Sequence, residues 1–509
     1  NMQRLILLAG LLALSFGAVQ IPVYRLIQYE YEGTHLGSQV SSINYLGAHY
    51  ENTQEIPRKI TMIHISNLSI ESLETLLGHK PSAVLIILTQ SPPQGLKELE
   101  NYLGTNSFPF PIYFTYETPE VMDIYNYLQQ QKGDQGSDTD QLQFSLSTDE
   151  KPVAKGLTQE NYYGFVYEYS EALPTIALVT YYDAFSIVPE LSKGMDANGS
   201  GVITILELTK YFRKLFSTSP PAYNLLLVLT STGTLNFQGL RNWLDSEDAE
   251  LQQIIGNIKF ALCLDTLGKG SDLTFHVSRF PSKENEADIA KLYADFNKTS
   301  SITGTGLNYM KKKINMADSF IPWQHENFAK KKVLSATLSH LPVASTSIID
   351  RSSLYDNKEN IDIDAIERNI RFIAESLTRF LYSRDDGNLV VYSKAELTSK
   401  ESIGLWAEKL GNYTRFTTKL APGAEFPKVL KETLNELTNS TFKVQKYPVT
   451  DYTLYNTKGE NLSVYKVKPA ILDLYIFLGI FGYIIVLWGV IKVFGSPFVS
   501  KGEAKRKTK

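Results

Sequence analysis

Four stretches place side chains that could do chemistry directly beside apolar runs. Tyr181-Tyr182-Asp183 closes the run Thr175 to Tyr181, and Asp196-Ala197-Asn198-Gly199-Ser200-Gly201 opens an amphipathic segment. Asp265 follows Ile258 to Leu264, and His325-Glu326 precedes Val333 to Leu338. Carboxylates and imidazoles are the donors of divalent-metal and acid–base chemistry. The spacing Asp196-x-Asn198-x-Ser200-Gly201, with Ile203 at the eighth position and Glu207 at the twelfth, matches an EF-hand calcium loop. An EF-hand also needs a helix entering the loop, yet Pro189 and Gly194 precede it and no second copy is present. A turn opening a helix is therefore the better reading. Neither a Gly-x-Ser-x-Gly elbow nor a Gly-x-x-x-x-Gly-Lys-Ser/Thr loop occurs. Cys263, the single cysteine, sits in an apolar run and reads as a small buried side chain, so no intrachain disulfide forms. His276 and His340, also in apolar runs, read as core or surface residues.

The elements that must position these groups begin at Pro174. Thr175 to Tyr181, Asn224 to Thr230 and Ile258 to Leu264 are buried-strand patterns, and Ser200 to Phe216 is an amphipathic helix. Alternation of this kind predicts an α/β domain with a mixed, mostly parallel sheet and helices on both faces. Sites in such sheets lie at the C-terminal strand ends, where Tyr181, Asp183 and Asp265 fall. Before it, residues 24–160 hold short strand-like runs such as Ala83 to Leu88 and Pro111 to Phe114, and Gln129 to Thr139 reads as a loop. A smaller N-terminal α/β module is expected there. The main domain is set at 161–390. Residues 391–468, with short helices at Ser402 to Leu410 and Val429 to Leu437, are expected to lead down to a membrane.

Membrane segments flank this body. Leu5 to Val19, behind Arg4, has the layout of a signal peptide or signal anchor, set at 1–23. Leu474 to Ile491 is uncharged and about 27 Å long as a helix. It predicts a transmembrane helix at 469–492. In the tail, 493–509, Lys501, Lys505, Arg506, Lys507 and Lys509 oppose only Glu503, which keeps the tail cytosolic and the large domain lumenal. Lys505 and Lys507 are a candidate retrieval signal. Asp473, costly if lipid-facing, is a candidate contact with a partner helix. Asn-x-Ser/Thr sites at Asn67, Asn198, Asn297, Asn412, Asn439 and Asn461 all fall on the lumenal side, and Asn198, Asn412, Asn439 and Asn461 are candidate glycosylation sites. The chain has 509 residues, 43% hydrophobic and 20% charged, with net charge −4, which is globular composition. In the globular part the basic residues form no run longer than three, Lys311 to Lys313 and Lys330 to Lys332, and nucleic-acid contact by the lumenal domain is excluded.

Taken in order, these strand-end residues resemble the co-catalytic zinc aminopeptidase family, whose non-enzymatic members include nicastrin and the transferrin receptor. The strings YYDAF, DANGSGV, AYNLLL, CLDTLGKG, INMAD and WQHENFA are similar to its nicalin branch, and the likeness covers roughly residues 170 to 380. The N-terminal module is similar to the protease-associated modules of some relatives. Active members hold two zinc ions with two His, a bridging Asp, a Glu and another Asp, beside a general-base Glu. By that resemblance the first His falls on Tyr181, the bridging Asp on Ala197 next to Asp196, and the Glu-Glu pair on Gly233 and Thr234. No Asp or Glu occurs between Leu225 and Leu244, so a change of register restores neither glutamate. Asp183, Asp265 and His325 survive, the last two as an expected hydrogen-bonded polar pair. The resemblance thus implies a vestigial pocket, no metal or other cofactor and no catalysis.

It further implies a scaffold in an endoplasmic reticulum membrane complex that serves multi-span membrane protein biogenesis. The partners implied are a large lumenal protein of the nodal modulator kind, a small multi-span protein and, indirectly, the translocation channel and ribosome. An active membrane-anchored metalloaminopeptidase and a lumenal receptor or signalling modulator stay open beside it.

Overall fold

A computed structural model of the protein describes residues 18–39, 42–53, 56–131, 141–147, 153–154, 156–343, 347, 349, 351–385, 398–467 and 470–494, with backbone alone at 470–473. The segment 1–17, most of the expected loop after Gln131, the side chain of Asp473, and Lys505 and Lys507 lie outside the described residues.

The main sheet has eight strands, ordered Gly306–Lys311, Asp272–Val277, Leu334–Ser339, Ile258–Leu264, Thr175–Tyr181, Asn224–Thr230, Thr158–Phe165, Lys443–Pro448. The central four run parallel. Asp272–Val277 joins them antiparallel on one side and Thr158–Phe165 on the other. Every residue of Thr175–Tyr181 and Asn224–Thr230 is buried, which explains their unbroken apolar runs. Alternate residues feed two cores. Ile176, Leu178, Leu227 and Leu262 pack with the helices Ser200–Thr218 and Ile363–Leu381. Ala177, Val179, Val228 and Cys263 pack with Gln238–Leu244, Ala249–Gly256 and His325–Lys330 on the opposite face. Helices cover both faces, and the mixed α/β fold is the one the sequence pattern predicts.

The N-terminal unit is a closed barrel of strands Val19–Arg25, Glu460–Val467, Gln141–Leu146, Ile43–His49, Ile60–His64, Ala83–Leu88 and Ile112–Tyr116. Thr118 caps the helix Pro119–Gln130 by accepting from Val121 N, with Pro119 at the first position. Two boundaries differ from those read in the sequence. Val19 to Val23 are already ladder residues, paired with Glu460 to Val464. The segment set apart as membrane-proximal instead supplies strands to both units: Glu460–Val467 closes the barrel, and Lys443–Pro448 extends the main sheet along Thr158–Phe165. Pairing across such sequence separation leaves no local pattern to find. The helices Lys400–Gly411 and Glu425–Thr438 contain the two short helices expected there.

A 25-residue helix, Ala470–Phe494, ends the described chain. Its stretch Leu474–Val493 has mean hydropathy 2.4, is 0% buried, and is long and apolar enough to cross a membrane.

Candidate functional site

The parallel central strands bring their C-terminal ends to one edge, and there the sequence-selected residues meet. Tyr181, buried at the end of Thr175–Tyr181, donates its phenol hydrogen to Oδ1 of Asp265 at 3.1 Å. Burial, reinforced by the Asp265 charge, pushes the phenol far above its ordinary titration range, so it stays a neutral donor. Gly233 makes room for the ring: a Cβ there would lie 2.1 Å from Tyr181 Cγ. A carboxylate side chain at position 233 and a tyrosine at 181 therefore exclude each other sterically.

Asp183 does not orient an imidazole. Its carboxylate accepts from Gly233 N at 2.7 Å, Thr234 N at 3.1 Å and Thr234 Oγ1 at 2.5 Å, tying down the turn after Asn224–Thr230. Burial raises its pKa against those hydrogen bonds.

Asp196 is held by partners of its own. Its Oδ1 accepts from Gly268 N at 2.8 Å, and its Oδ2 lies 2.8 Å from His340 Nε2 and 3.8 Å from Lys269 Nζ. His340, read earlier as core or surface, is thus a site partner. Ala197 presents only a methyl group, and its N–H donates to Oδ2 of the buried Asp356 at 2.9 Å. Burial first, then the Asp196 charge, pushes Asp356 up to about 6.

Asn198 is buried and saturated. Nδ2 donates to Thr180 Oγ1 at 2.6 Å and Leu264 O at 2.8 Å, and Oδ1 accepts from Gly201 N and Thr266 N. That removes Asn198 from the candidate glycosylation sites, since a sugar needs an accessible Nδ2. Asn67, Asn297, Asn412, Asn439 and Asn461 are exposed. The calcium reading fails on the same geometry. Glu207 sits inside the helix Ser200–Thr218, where its Oε1 accepts from Ser402 Oγ at 2.5 Å and Trp406 Nε1 at 2.8 Å, so the twelve-residue loop never closes on a cation.

Asp265 and His325 are not the polar pair expected. Asp265 Oδ2 lies 3.5 Å from an Arg351 guanidinium nitrogen. His325 Nδ1 lies 2.9 Å from Thr337 Oγ1. Burial, with His276 and Lys312 adding repulsion, lowers His325 to about 3, and the imidazole is neutral.

Arg351 is the residue that sequence reasoning missed. Its guanidinium lies 4.4 Å over the Trp323 ring and 5.5 Å from that of Phe237, and it donates to Pro322 O. The strap carrying it is clamped from the N-terminal unit. Lys97 Nζ donates to Ile349 O and, at 2.6 Å, to Ser352 O. Glu100 Oε1 accepts from Leu354 N at 2.6 Å and Ser353 Oγ at 3.2 Å, while burial lifts that carboxyl to about 7. A basic residue in a patternless stretch was the only signal available.

With these side chains in place, the cavity lined by Tyr181, Ala197, Gly233, Phe237, Ile321 and Arg351 has a volume of about 20 Å³. Ligand sites run from roughly 300 to 1,000 Å³. Among the described residues no three His, Cys, Asp or Glu side chains converge on a point. The surviving carboxylate already faces a guanidinium, and the residues present do not fit a zinc pair.

No protein-family model matches the chain. In sequence it is similar to the BOS complex subunit NCLN of Mus musculus, 30% identical over 514 residues that span 94% of this chain and 90% of the relative. The protein of that name from Rattus norvegicus is 29% identical over 513 residues, with the same shares. Nicalin of Caenorhabditis elegans is 30% identical over 341 residues, 62% of this chain and 59% of the relative. In structure it is similar to the γ-secretase component nicastrin at TM-score 0.66 and 11% identity, covering 87% of this chain and 99% of that one, a likeness of fold.

Proposed function

The chain belongs to the nicalin family, and from that premise we propose that it is a non-catalytic, membrane-anchored scaffold subunit of an endoplasmic reticulum membrane complex. The observation that carries the non-catalytic part is the Tyr181–Asp265–Arg351 arrangement, in which a phenol hydrogen-bonds one oxygen of the carboxylate a metal would need and a guanidinium pairs with the other at 3.5 Å. Tyr181, Asp183, Asp196, Ala197, Gly233, Thr234, Asp265 and His325 are then remnants of a metal pocket turned to structural use. Membership of a complex comes from the mouse and rat relatives, which are named as subunits of the BOS complex.

The finer reading places the complex at the protein translocon during insertion of multi-span proteins. Its partners are a large lumenal protein of the nodal modulator kind and a small multi-span protein, with the channel and ribosome reached through them. The apolar helix Leu474–Val493 supports an anchored chain, and the basic tail supports a lumenal body. In this reading Asp473 contacts a partner helix, Lys505 and Lys507 retrieve the chain, and Asn412, Asn439 and Asn461 are open to glycosylation.

Affinity purification of the full chain in mild detergent, followed by mass spectrometry, tests this. Both membrane partners and channel components should be recovered, with fewer after Asp473→Leu. Recovery of secreted ligands without them would sink the scaffold reading in favour of a receptor, and unchanged recovery after Asp473→Leu would remove that contact.

A further inference from the structure

Away from the strand ends, a cleft of about 530 Å³ opens between the strand Thr158–Phe165, the loop after it and the turn Thr438 to Thr441. That volume lies within the range that holds a small ligand. Part of its wall is aromatic: Phe165 and Tyr169 stack with centroids 4.5 Å apart, and the Arg213 guanidinium lies 4.8 Å over the Tyr167 ring. All three rings are half-buried.

Asn439 stands on the rim of this cleft. It ends the helix Glu425–Thr438 with φ 50, in the left-handed region that an asparagine tolerates, and its side chain is exposed. The following turn is fixed: Ser440 N donates to Asn435 O at 3.3 Å, Phe442 N to Asn435 Oδ1 at 2.7 Å, and the Thr438 and Ser440 hydroxyls lie 2.8 Å apart. Asn439-Ser440-Thr441 is an acceptor sequence for N-linked sugar.

We propose that Asn439 carries an N-linked glycan whose first sugars pack into this cleft, so that the chain supplies its own ligand. Attachment joins Asn439 Nδ2 to C1 of the first sugar of a polyprenyl-diphosphate-linked oligosaccharide. The C1–O bond breaks, the diphosphate leaves with the electron pair, and Nδ2 gives up one proton to base. Afterwards the C–H faces of the sugar rings lie against Phe165 and Tyr169, and hydroxyl groups reach Arg213 and the exposed Glu168. The tether raises the effective sugar concentration to roughly millimolar, so modest stacking suffices to hold it. Asn198, whose Nδ2 is spent on Thr180 and Leu264, offers no such site.

The proposal rests on the lumenal placement of the domain, and the experiment separates the two. The full chain is produced in cells that make high-mannose glycans, and occupancy is read site by site by mass spectrometry after deglycosylation in heavy-oxygen water. Asn439 is expected to be occupied. The native protein is then treated with an endoglycosidase that cuts between the first two sugars, and release at Asn439 should be roughly tenfold slower than at Asn412 or Asn461. Phe165→Ser with Tyr169→Ser should bring the Asn439 rate up to theirs, with unchanged rates at those sites showing that the fold is intact. Modification of Asn412 or Asn461 without Asn439 overturns the proposal, as does equal release at all occupied sites. No modification at any exposed site overturns the lumenal placement, and this proposal with it.

Discussion

Charge balance around Asp265 makes Arg351 the most informative side chain to remove. Arg351→Ala leaves a fully buried carboxylate facing only the Tyr181 hydroxyl, which should lower stability by about 2–4 kcal/mol in denaturant unfolding. Pairing Asp265→Asn with Arg351→Met should recover most of that loss, because no buried charge is then left alone. The histidines titrate in a defined direction. His276 and His325 are lowered mainly by burial, to about 4 and about 3, so the unfolded chain takes protons below about 6.5 that the folded chain refuses. Their contribution is complete above about pH 6.5 and declines as pH falls toward the folded values. The stability deficit of His325→Gln relative to the parent should therefore shrink by about 1.4 kcal/mol per pH unit below 6.5, whereas a constant deficit would contradict a neutral buried imidazole. Tyr181, Ala197, Gly233 and Thr234 could be picked out in the sequence only through the family resemblance, which sets each near a strand end or the start of a helix. Arg351 could not. Its strap has no periodicity, and Ser353 of that strap meets Glu100, a partner 253 residues away in the chain.

At the scale of elements, the strand Glu460–Val467 distinguishes an integrated body from a domain on a stalk. Val464 is 2% exposed and pairs with Val19 and Phe144, so Val464→Pro removes a ladder hydrogen bond inside the barrel. A loss of about 3 kcal/mol or more is expected, sufficient to cut the yield of folded protein, whereas a dispensable stalk would tolerate the change. The helix Ser200–Thr218 gives a second test at this scale. Glu207→Gln should weaken its contact with Ser402 and Trp406 by about 1–2 kcal/mol, and calcium should shift the melting temperature of neither form. The parallel strands were legible because burial on both faces writes an unbroken apolar run, as in Asn224–Thr230. The barrel was not, since its closing ladder joins Val19–Arg25 to a strand that begins at Glu460.

On the scale of the whole molecule, two folded units share a clamp at the strap, and one apolar helix follows the barrel strand Glu460–Val467. A body of this kind needs no chemistry at the strand ends to hold a partner, only that the cavity beside Tyr181 and Arg351 stay filled and stable. Zinc content measured by elemental analysis on the full chain, purified in detergent without chelator and assayed alongside for peptide hydrolysis, bears most directly on that claim. Zinc far below one ion per chain and no hydrolysis above the detergent blank are expected. A stoichiometric ion, with peptide cleavage abolished by His325→Ala, would contradict it.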